Sequence, residues 1–178
     1  MEEPDVAKVF RYYENTLKTL FEFYSKFDKV EAYKYSEMGV VSLSYKSFIK
    51  LINQQRLLPN IITKDELMII YKVIMKNKVG KIGSLNFEEF KESLVRIIVK
   101  GKNRLANPGD KRPRDNTKSL LLFDMEGVTA NTLRELFKYM KLAPEMSKRA
   151  FVKKLIELQD EGVKDEILRR RQLVPESP

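Results

Sequence analysis

Apolar positions in the first thirty residues recur at alternating intervals of three and four. This spacing draws one apolar stripe down a helix, so it predicts a long amphipathic helix from about Asp5 to Asp28. Pro4 is tolerated in the first turn of such a helix. A stripe this rich in aromatic rings is typical of a core-facing surface, because large rings dominate buried area. The residues of the stripe are Val6, Phe10, Tyr13, Leu17, Leu20, Tyr24 and Phe27.

The segment 63–100 predicts a helix, a short loop, a short strand and a second helix. Thr63 and Glu66 have the spacing of a capping box, in which each side chain accepts a hydrogen bond from the other residue's amide. The apolar residues after them cover most of the helix circumference, which predicts a helix inside the domain. Two glycines then end this helix, and a second amphipathic helix is predicted from Leu85.

An earlier segment repeats this plan. LSYKSF at 43–48 matches LNFEEF at 85–90, with an aliphatic residue, an aromatic residue and a phenylalanine at the same offsets. Residues 40–43 alternate like a short strand, and a helix is predicted from Ser44 through Ile52. We expect the two short strands to pair, which would join two helix-loop-helix units into one four-helix domain.

GSLNFEEF at 83–90 resembles the second half of an EF-hand, where a glutamate near the end of the loop binds calcium with both oxygens. In that alignment Lys78, Gly80 and Ile82 occupy ligand positions, and Glu89 alone remains at the last one. Calcium needs several oxygen ligands, so we predict no calcium or other metal in this loop. Alternatively, this glutamate and its neighbour are ordinary acids in a first helical turn, where negative charge is favourable.

The chain after residue 100 changes character. Residues 101–118 contain glycine, proline, asparagine and few apolar groups, which predicts an exposed basic linker. Helical spacing returns from Thr129 and is interrupted at Ala143 and Pro144. The predicted apolar stripes on either side of the interruption are Leu133, Leu136, Phe137 and Met140, and then Phe151, Val152, Leu155 and Ile156.

These patterns predict an all-α fold of paired, degenerate EF-hand-like helix-loop-helix units with a short two-stranded pairing, plus carboxy-terminal helices. We divide the chain into a degenerate EF-hand-like domain at 1–100, a basic linker at 101–118 and a carboxy-terminal helical subdomain at 119–178. A chain of 178 residues with 43% hydrophobic content is long enough to bury a core in such a domain.

Composition removes several kinds of chemistry. The chain has no cysteine, which excludes disulfides, thiolate nucleophiles and cysteine zinc sites, and no histidine, the usual general base and commonest metal ligand. The remaining Asp, Glu, Lys and Tyr show no pairing that suggests acid–base catalysis. We therefore expect no enzyme activity and no cofactor.

The formal net charge is +9, from 34 basic and 25 acidic residues. Such an excess favours an acidic partner, whether protein, nucleic acid or anionic lipid, although it can also serve solubility alone. The acidic amino terminus and the lack of a run of about 20 apolar residues predict a cytoplasmic chain with no membrane partner. The predicted partner-binding residues are Lys76, Lys78, Lys81, Lys102, Arg104, Lys111, Arg112 and Arg114.

The order of a long aromatic helix, SLSYKSFIKLI, an LLP connection, ITKDELMIIYKVIMK and GSLNFEEFKESLVRI resembles the pseudo-EF-hand core of the tubulin polymerisation-promoting protein family, over residues 10–100. The resemblance implies a basic, microtubule-binding protein. We thus expect a non-catalytic interaction module of the microtubule or ciliary cytoskeleton that binds acidic tubulin, or another cytoskeletal protein, through basic loops. The alternative is a basic nucleic-acid-binding or general adaptor domain, although no zinc-finger, RNP or KH motif is present.

Overall fold

The computed structural model describes residues 4–27, 41–76, 83–106 and 128–157, apart from 148, 151 and 155. Within these ranges the chain is mostly helical, with one small antiparallel sheet, and none of the helices is long and apolar enough to cross a membrane. Helical conformation also occurs within 149–157. The other elements are α1 Pro4–Ser25, β1 Leu43–Ser44, α2 Tyr45–Gln54, α3 Lys64–Lys76, β2 Ser84–Leu85, α4 Phe87–Ala106 and α5 Ala130–Tyr139.

The two strands pair in antiparallel register, with Leu43 opposite Leu85 and Ser44 opposite Ser84. The predicted pairing of two short strands is confirmed. Both leucines are fully buried, and each strand leads into a helix within one residue, so the pair holds the first turns of α2 and α4 close together. The second predicted helix starts two residues later than expected, because Leu85 belongs to the strand.

The predicted capping box at the start of α3 is confirmed. The Thr63 amide donates to the Glu66 carboxylate at 2.8 Å, and the Glu66 amide donates to the Thr63 hydroxyl at 3.2 Å. The helix is less enclosed than its composition predicts, since Lys72 is exposed and several apolar side chains are only half-buried. The apolar or aromatic residues of α3 that are buried are Leu67, Ile70, Tyr71 and Ile74.

α5 packs against α1 and α4 and shares their core. Its Phe137 ring lies 6.0 Å from the ring of Phe10 and 4.7 Å from that of Tyr13, measured between centroids. Within the described residues, the separate carboxy-terminal subdomain that we predicted is therefore replaced by one common core. The predicted stripe of α5 is buried as expected, at Leu133, Leu136, Phe137 and Met140.

A buried threonine on α1 fixes the turn after α5. The Thr16 hydroxyl lies 2.7 Å from the carbonyl oxygen of Ala143 and 2.8 Å from that of Pro144, and it accepts a hydrogen bond from the Met146 amide at 3.1 Å. The interruption predicted at Ala143 and Pro144 is present. Because a buried hydroxyl needs hydrogen-bond partners, this contact holds the turn at a single place along α1.

The second predicted stripe is wrong where the structure describes it. Val152 is 45% exposed and Ile156 is 53% exposed, whereas Lys154 between them is only 8% exposed. The side chains of Phe151 and Leu155 lie outside the described residues. Among the described side chains of 149–157, only that of Lys154 is buried, which hydrophobic spacing does not reveal.

The predicted linker boundary at residue 101 is also wrong, because α4 continues to Ala106. Gly101 is buried against the α2–α3 connection, and a β-carbon at this position would lie 2.4 Å from Ile61 Cγ2 and 2.8 Å from the Ile61 carbonyl oxygen. Only glycine allows the two backbones to approach so closely. The end of α4 is thus part of the packed domain, although the sequence has few apolar groups there.

We predict that Gly101→Ala destabilises the protein by about 1–3 kcal/mol, because the new methyl group overlaps Ile61. The sign of this change in stability is informative, since alanine in an open helical position stabilises a protein by about 1 kcal/mol relative to glycine. Gly83→Ala is the matched control, because nothing lies within 4 Å of a β-carbon there. Urea denaturation measures both variants, and a Gly101→Ala protein as stable as the parent would contradict the close approach.

Candidate functional site

The glutamate predicted at the last calcium-ligand position caps a helix. The Asn86 amide donates to a Glu89 carboxylate oxygen at 2.7 Å, and the Glu89 amide donates to the Asn86 side-chain oxygen at 2.9 Å. Glu88 and Glu89 both lie in the first turn of α4, as the alternative interpretation predicts. The structure thus gives Glu89 a local role in starting α4.

The other positions of that loop, Lys78, Gly80 and Ile82, lie outside the described residues. In the part of the chain that the structure describes, no group of three or more Asp, Glu, His or Cys side chains lies together in a way that could hold a metal ion.

Three of the eight predicted partner-binding residues are described. Lys76 ends α3 and is exposed, and Lys102 is exposed on α4. The third is Arg104, which is turned into the domain. The remaining five, which lie outside the described residues, are Lys78, Lys81, Lys111, Arg112 and Arg114.

Arg104 forms a bidentate ion pair with Glu66. Its two terminal nitrogens donate to the two carboxylate oxygens at 2.8 Å and 2.9 Å, and one of them also donates to the Ile61 carbonyl at 2.9 Å. The side chains are only 16% and 5% exposed, respectively. Arg104 was predicted to bind a partner, but this geometry gives it a structural role inside the domain.

The ion pair shifts both titrating groups. Burial alone raises the pKa of Glu66, but hydrogen bonds from Arg104 and Thr63 outweigh it, so the pKa lies below its ordinary value. The hydrogen bond to Glu66 raises the pKa of Arg104. Both groups therefore remain charged at neutral pH.

The structure does not bring Lys76 and Lys102 together. Gly101 touches Ile61 and Arg104 binds Glu66, so Lys102 lies near the start of α3, whereas Lys76 lies at its end. With a rise of 1.5 Å per residue, the two ends of α3 are about 18 Å apart. Lys76 and Lys102 therefore lie at two separate places, one near each end of α3.

A groove of about 560 Å³ lies between α1 and the first half of α4. Three of the carboxylates that line it pair with cations on the same helices. Glu14 pairs with Lys18 at 2.8 Å, and hydrogen bonding from that lysine lowers the pKa of Glu14. On α4, Lys91 reaches Glu88 at 2.7 Å, and Glu92 pairs with Arg96 at 2.6 Å. These three ion pairs reduce the free negative charge that the groove offers to a ligand.

Sequence reasoning missed a basic surface on α2. This helix contains no acidic residue, and Lys46 and Lys50 are exposed four residues apart on one side. Residues at this spacing are neighbours on a helix surface. Within the described residues, neither lysine has a carboxylate partner. A lysine pair on an exposed helical face without acids is the signal that could have found it.

Sequence reasoning also missed Lys154. Its amine donates to the side-chain oxygen of Gln55 at 3.0 Å and to the carbonyl oxygen of Met140 at the end of α5. Burial, together with the charge on Lys141, lowers the pKa of Lys154 to about 8. The buried amine thus joins the last described helical segment to the ends of α2 and α5.

We predict that Glu66→Gln lowers the free energy of unfolding at neutral pH by about 2–4 kcal/mol, because it leaves the Arg104 charge inside the domain without a counter-charge. Glu14→Gln removes an exposed ion pair and is the matched control, for which we expect little change. Urea denaturation measures both. Equal stability of the two variants would contradict the role assigned to Glu66.

The Glu66→Gln variant should also change how the stability of the fold depends on pH. Since the pKa of folded Glu66 lies below its ordinary value of 4.5, the pair stabilises the fold above about pH 4.5 and loses that contribution as the pH falls through the folded pKa. We expect the parent protein to lose more stability than Glu66→Gln on acidification. Parallel acid titrations of the two proteins, monitored by circular dichroism, test this difference.

Lys154 gives a prediction at the other end of the pH scale. Between its folded pKa of about 8 and its ordinary pKa of 10.5, the folded chain binds fewer protons than the unfolded chain, so stability rises with pH in that window. Lys154→Met should remove this rise, whereas Lys153→Met, which alters an 80% exposed neighbour, should retain it. Urea denaturation across this pH range measures the slope, and a rise that persists in Lys154→Met would contradict the assignment.

No family model, curated protein or solved structure matches this chain.

Proposed function

We propose that the chain is a non-catalytic protein-interaction module built on a degenerate EF-hand-like pair. The observation that carries this proposal is the antiparallel pairing of two strands, each followed by a helix, with Leu43 opposite Leu85. Paired EF-hands join their loops by a short strand pairing of this kind. The capping role of Glu89 supports the degenerate character, because this carboxylate holds the first turn of α4.

The partner is an acidic protein surface. The net charge of +9 favours such a partner, and the exposed position of Lys76 at the end of α3 is consistent with a basic loop that continues through Lys78 and Lys81. Lys102 adds a second basic position near the other end of α3, followed in sequence by Lys111, Arg112 and Arg114. Two positions about 18 Å apart suit an extended acidic partner better than a small anionic ligand.

Among acidic proteins, we propose tubulin or another component of the microtubule or ciliary cytoskeleton, which places the protein in the cytoplasm at the cytoskeleton or in the cilium. This choice rests on the resemblance of residues 10–100 to the tubulin polymerisation-promoting protein family. Neither a metal ion nor a cofactor is needed for binding through charge. The chemistry is thus recognition without catalysis, in keeping with a chain that has no histidine or cysteine.

Co-sedimentation of the full chain with microtubules over a salt series tests the proposal. We expect binding at low salt that weakens as salt rises, because contacts between exposed charges are screened. Changing Lys76, Lys78 and Lys81 together to Gln should weaken it at least about fivefold, since each exposed contact contributes a few tenths of a kcal/mol or more. Lys138→Gln, at an exposed lysine of α5, is the control.

Absence of co-sedimentation at low salt would contradict the cytoskeletal role. Tighter binding to a nucleic acid, with a steep dependence on salt, would favour the alternative of a basic nucleic-acid-binding domain. If Lys138→Gln lost one third of the binding free energy that the triple variant loses, only net charge would matter, because the control removes one charge and the triple variant three. That result would contradict the loop as the contact.

A further inference from the structure

The exposed side of α2 carries a preorganised cation. The Lys50 ammonium lies 3.4 Å from the centroid of the Phe27 ring, which follows α1 and is 40% exposed. A cation over an aromatic face is attracted by the electrons of the ring. This contact holds a long side chain that would otherwise move freely, so less entropy is lost when it binds a partner.

The charge on this surface is unbalanced. In the described residues, several other exposed lysines have a carboxylate of their own helix nearby, as in the pairs of Lys8 with Asp5 and Lys18 with Glu14. Lys46 and Lys50 have no such partner there, and α2 contains no acid that could supply one. Within the part of the chain that the structure describes, these two lysines on neighbouring helical turns are thus without a counter-charge, and an external anion would supply one.

The spacing of the two lysines indicates the form of that anion. Residues four apart on a helix have β-carbons about 5–6 Å apart. In an extended peptide, alternate side chains lie on one side about 6.6 Å apart, from a rise of about 3.3 Å per residue. The spacing of carboxylates at every second position of an extended segment is therefore close to the spacing of the Lys46 and Lys50 β-carbons.

We propose that the face of α2 formed by Lys46 and Lys50, with Phe27 beneath the latter, binds an extended acidic peptide segment that carries carboxylates at alternate positions. The proposal rests on the proposed function as an interaction module, but it assigns the contact to a surface separate from the basic loops. It specifies the partner by its negative charge and by the two-residue repeat of its carboxylates.

The ring contacts favour a carboxylate peptide over a single-stranded nucleic acid. Nucleic-acid proteins of that kind offer free aromatic faces on which bases stack. Here Lys50 covers a face of Phe27, and Tyr24 lies nearly parallel to the same ring at 5.6 Å with an angle of 23°. A base that stacked on Phe27 would have to displace one of these contacts, whereas a carboxylate would use the lysine where it stands.

Fluorescence anisotropy of the full chain with a labelled peptide of alternating Glu and Gly tests the proposal. The matched ligands are a peptide with the same number of glutamates separated by three glycines and an oligothymidylate of equal charge. We expect the alternating peptide to bind more tightly than both. The spacing control keeps the charge and changes only the register.

The variants separate the site from net charge. Lys46→Gln with Lys50→Gln should weaken peptide binding at least about fivefold, and Phe27→Leu should weaken it about two- to fivefold through loss of the cation–π contact. Arg134→Gln with Lys138→Gln should remain within about twofold of the parent, although it also removes two exposed charges, because they lie on another helix. Circular dichroism checks that each variant is folded.

Three results would overturn the assignment: no binding of the alternating peptide, binding unchanged in the double lysine variant, or tighter binding of oligothymidylate. The outcome is distinct from that of the proposed function. If the alternating peptide binds the double lysine variant as tightly as the parent while the loop variant loses microtubule binding, the loop role stands and the α2 site falls. If the peptide binds through α2 but no microtubule binding occurs, the site stands and the cytoskeletal partner falls.

Discussion

The carboxylate of Glu66 joins the start of α3 to the end of α4, which is distant in sequence. It accepts the Thr63 amide at the start of α3 and both terminal nitrogens of Arg104 near the end of α4, and the same guanidinium reaches the Ile61 carbonyl in the connection before α3. One buried acid thus sets where α3 begins and where α4 ends against it. A buried ion pair needs hydrogen-bond partners for nearly all of its charged atoms, because burying a charge without them costs free energy.

Close approach of the backbones makes that arrangement possible. Gly101 lies one turn before Arg104 on α4, and its missing side chain lets the helix rest on Ile61. The guanidinium then needs to span only a short distance to Glu66. Glycine and arginine act together here, since a larger residue at 101 would move the helix away and lengthen the hydrogen bonds of the ion pair.

The carboxy-terminal segment is joined to the domain by polar groups as well as by apolar packing. Phe137 contributes the aromatic contacts with α1, but the turn after α5 depends on the Thr16 hydroxyl, and the helical residues after it depend on the Lys154 amine. These buried polar contacts specify position more narrowly than apolar contacts do, because hydrogen bonds are directional. The distribution of exposed charge follows from the same packing, which buries Arg104 and leaves Lys46 and Lys50 at the surface.

Local chemistry in the sequence by itself determined the helices, the pairing of two short strands, the capping box at Thr63 and the buried stripe of α5. Each depends on residues within a few positions of one another or on a repeated pattern. Only the tertiary structure decided that Arg104 is structural, that Lys154 is buried and that Lys50 lies over Phe27. The partners in these contacts are 38, 99 and 23 positions apart in the chain. A charged side chain looks the same in sequence whether it meets water, a carboxylate or a ring, and the packing of distant segments determines which it meets.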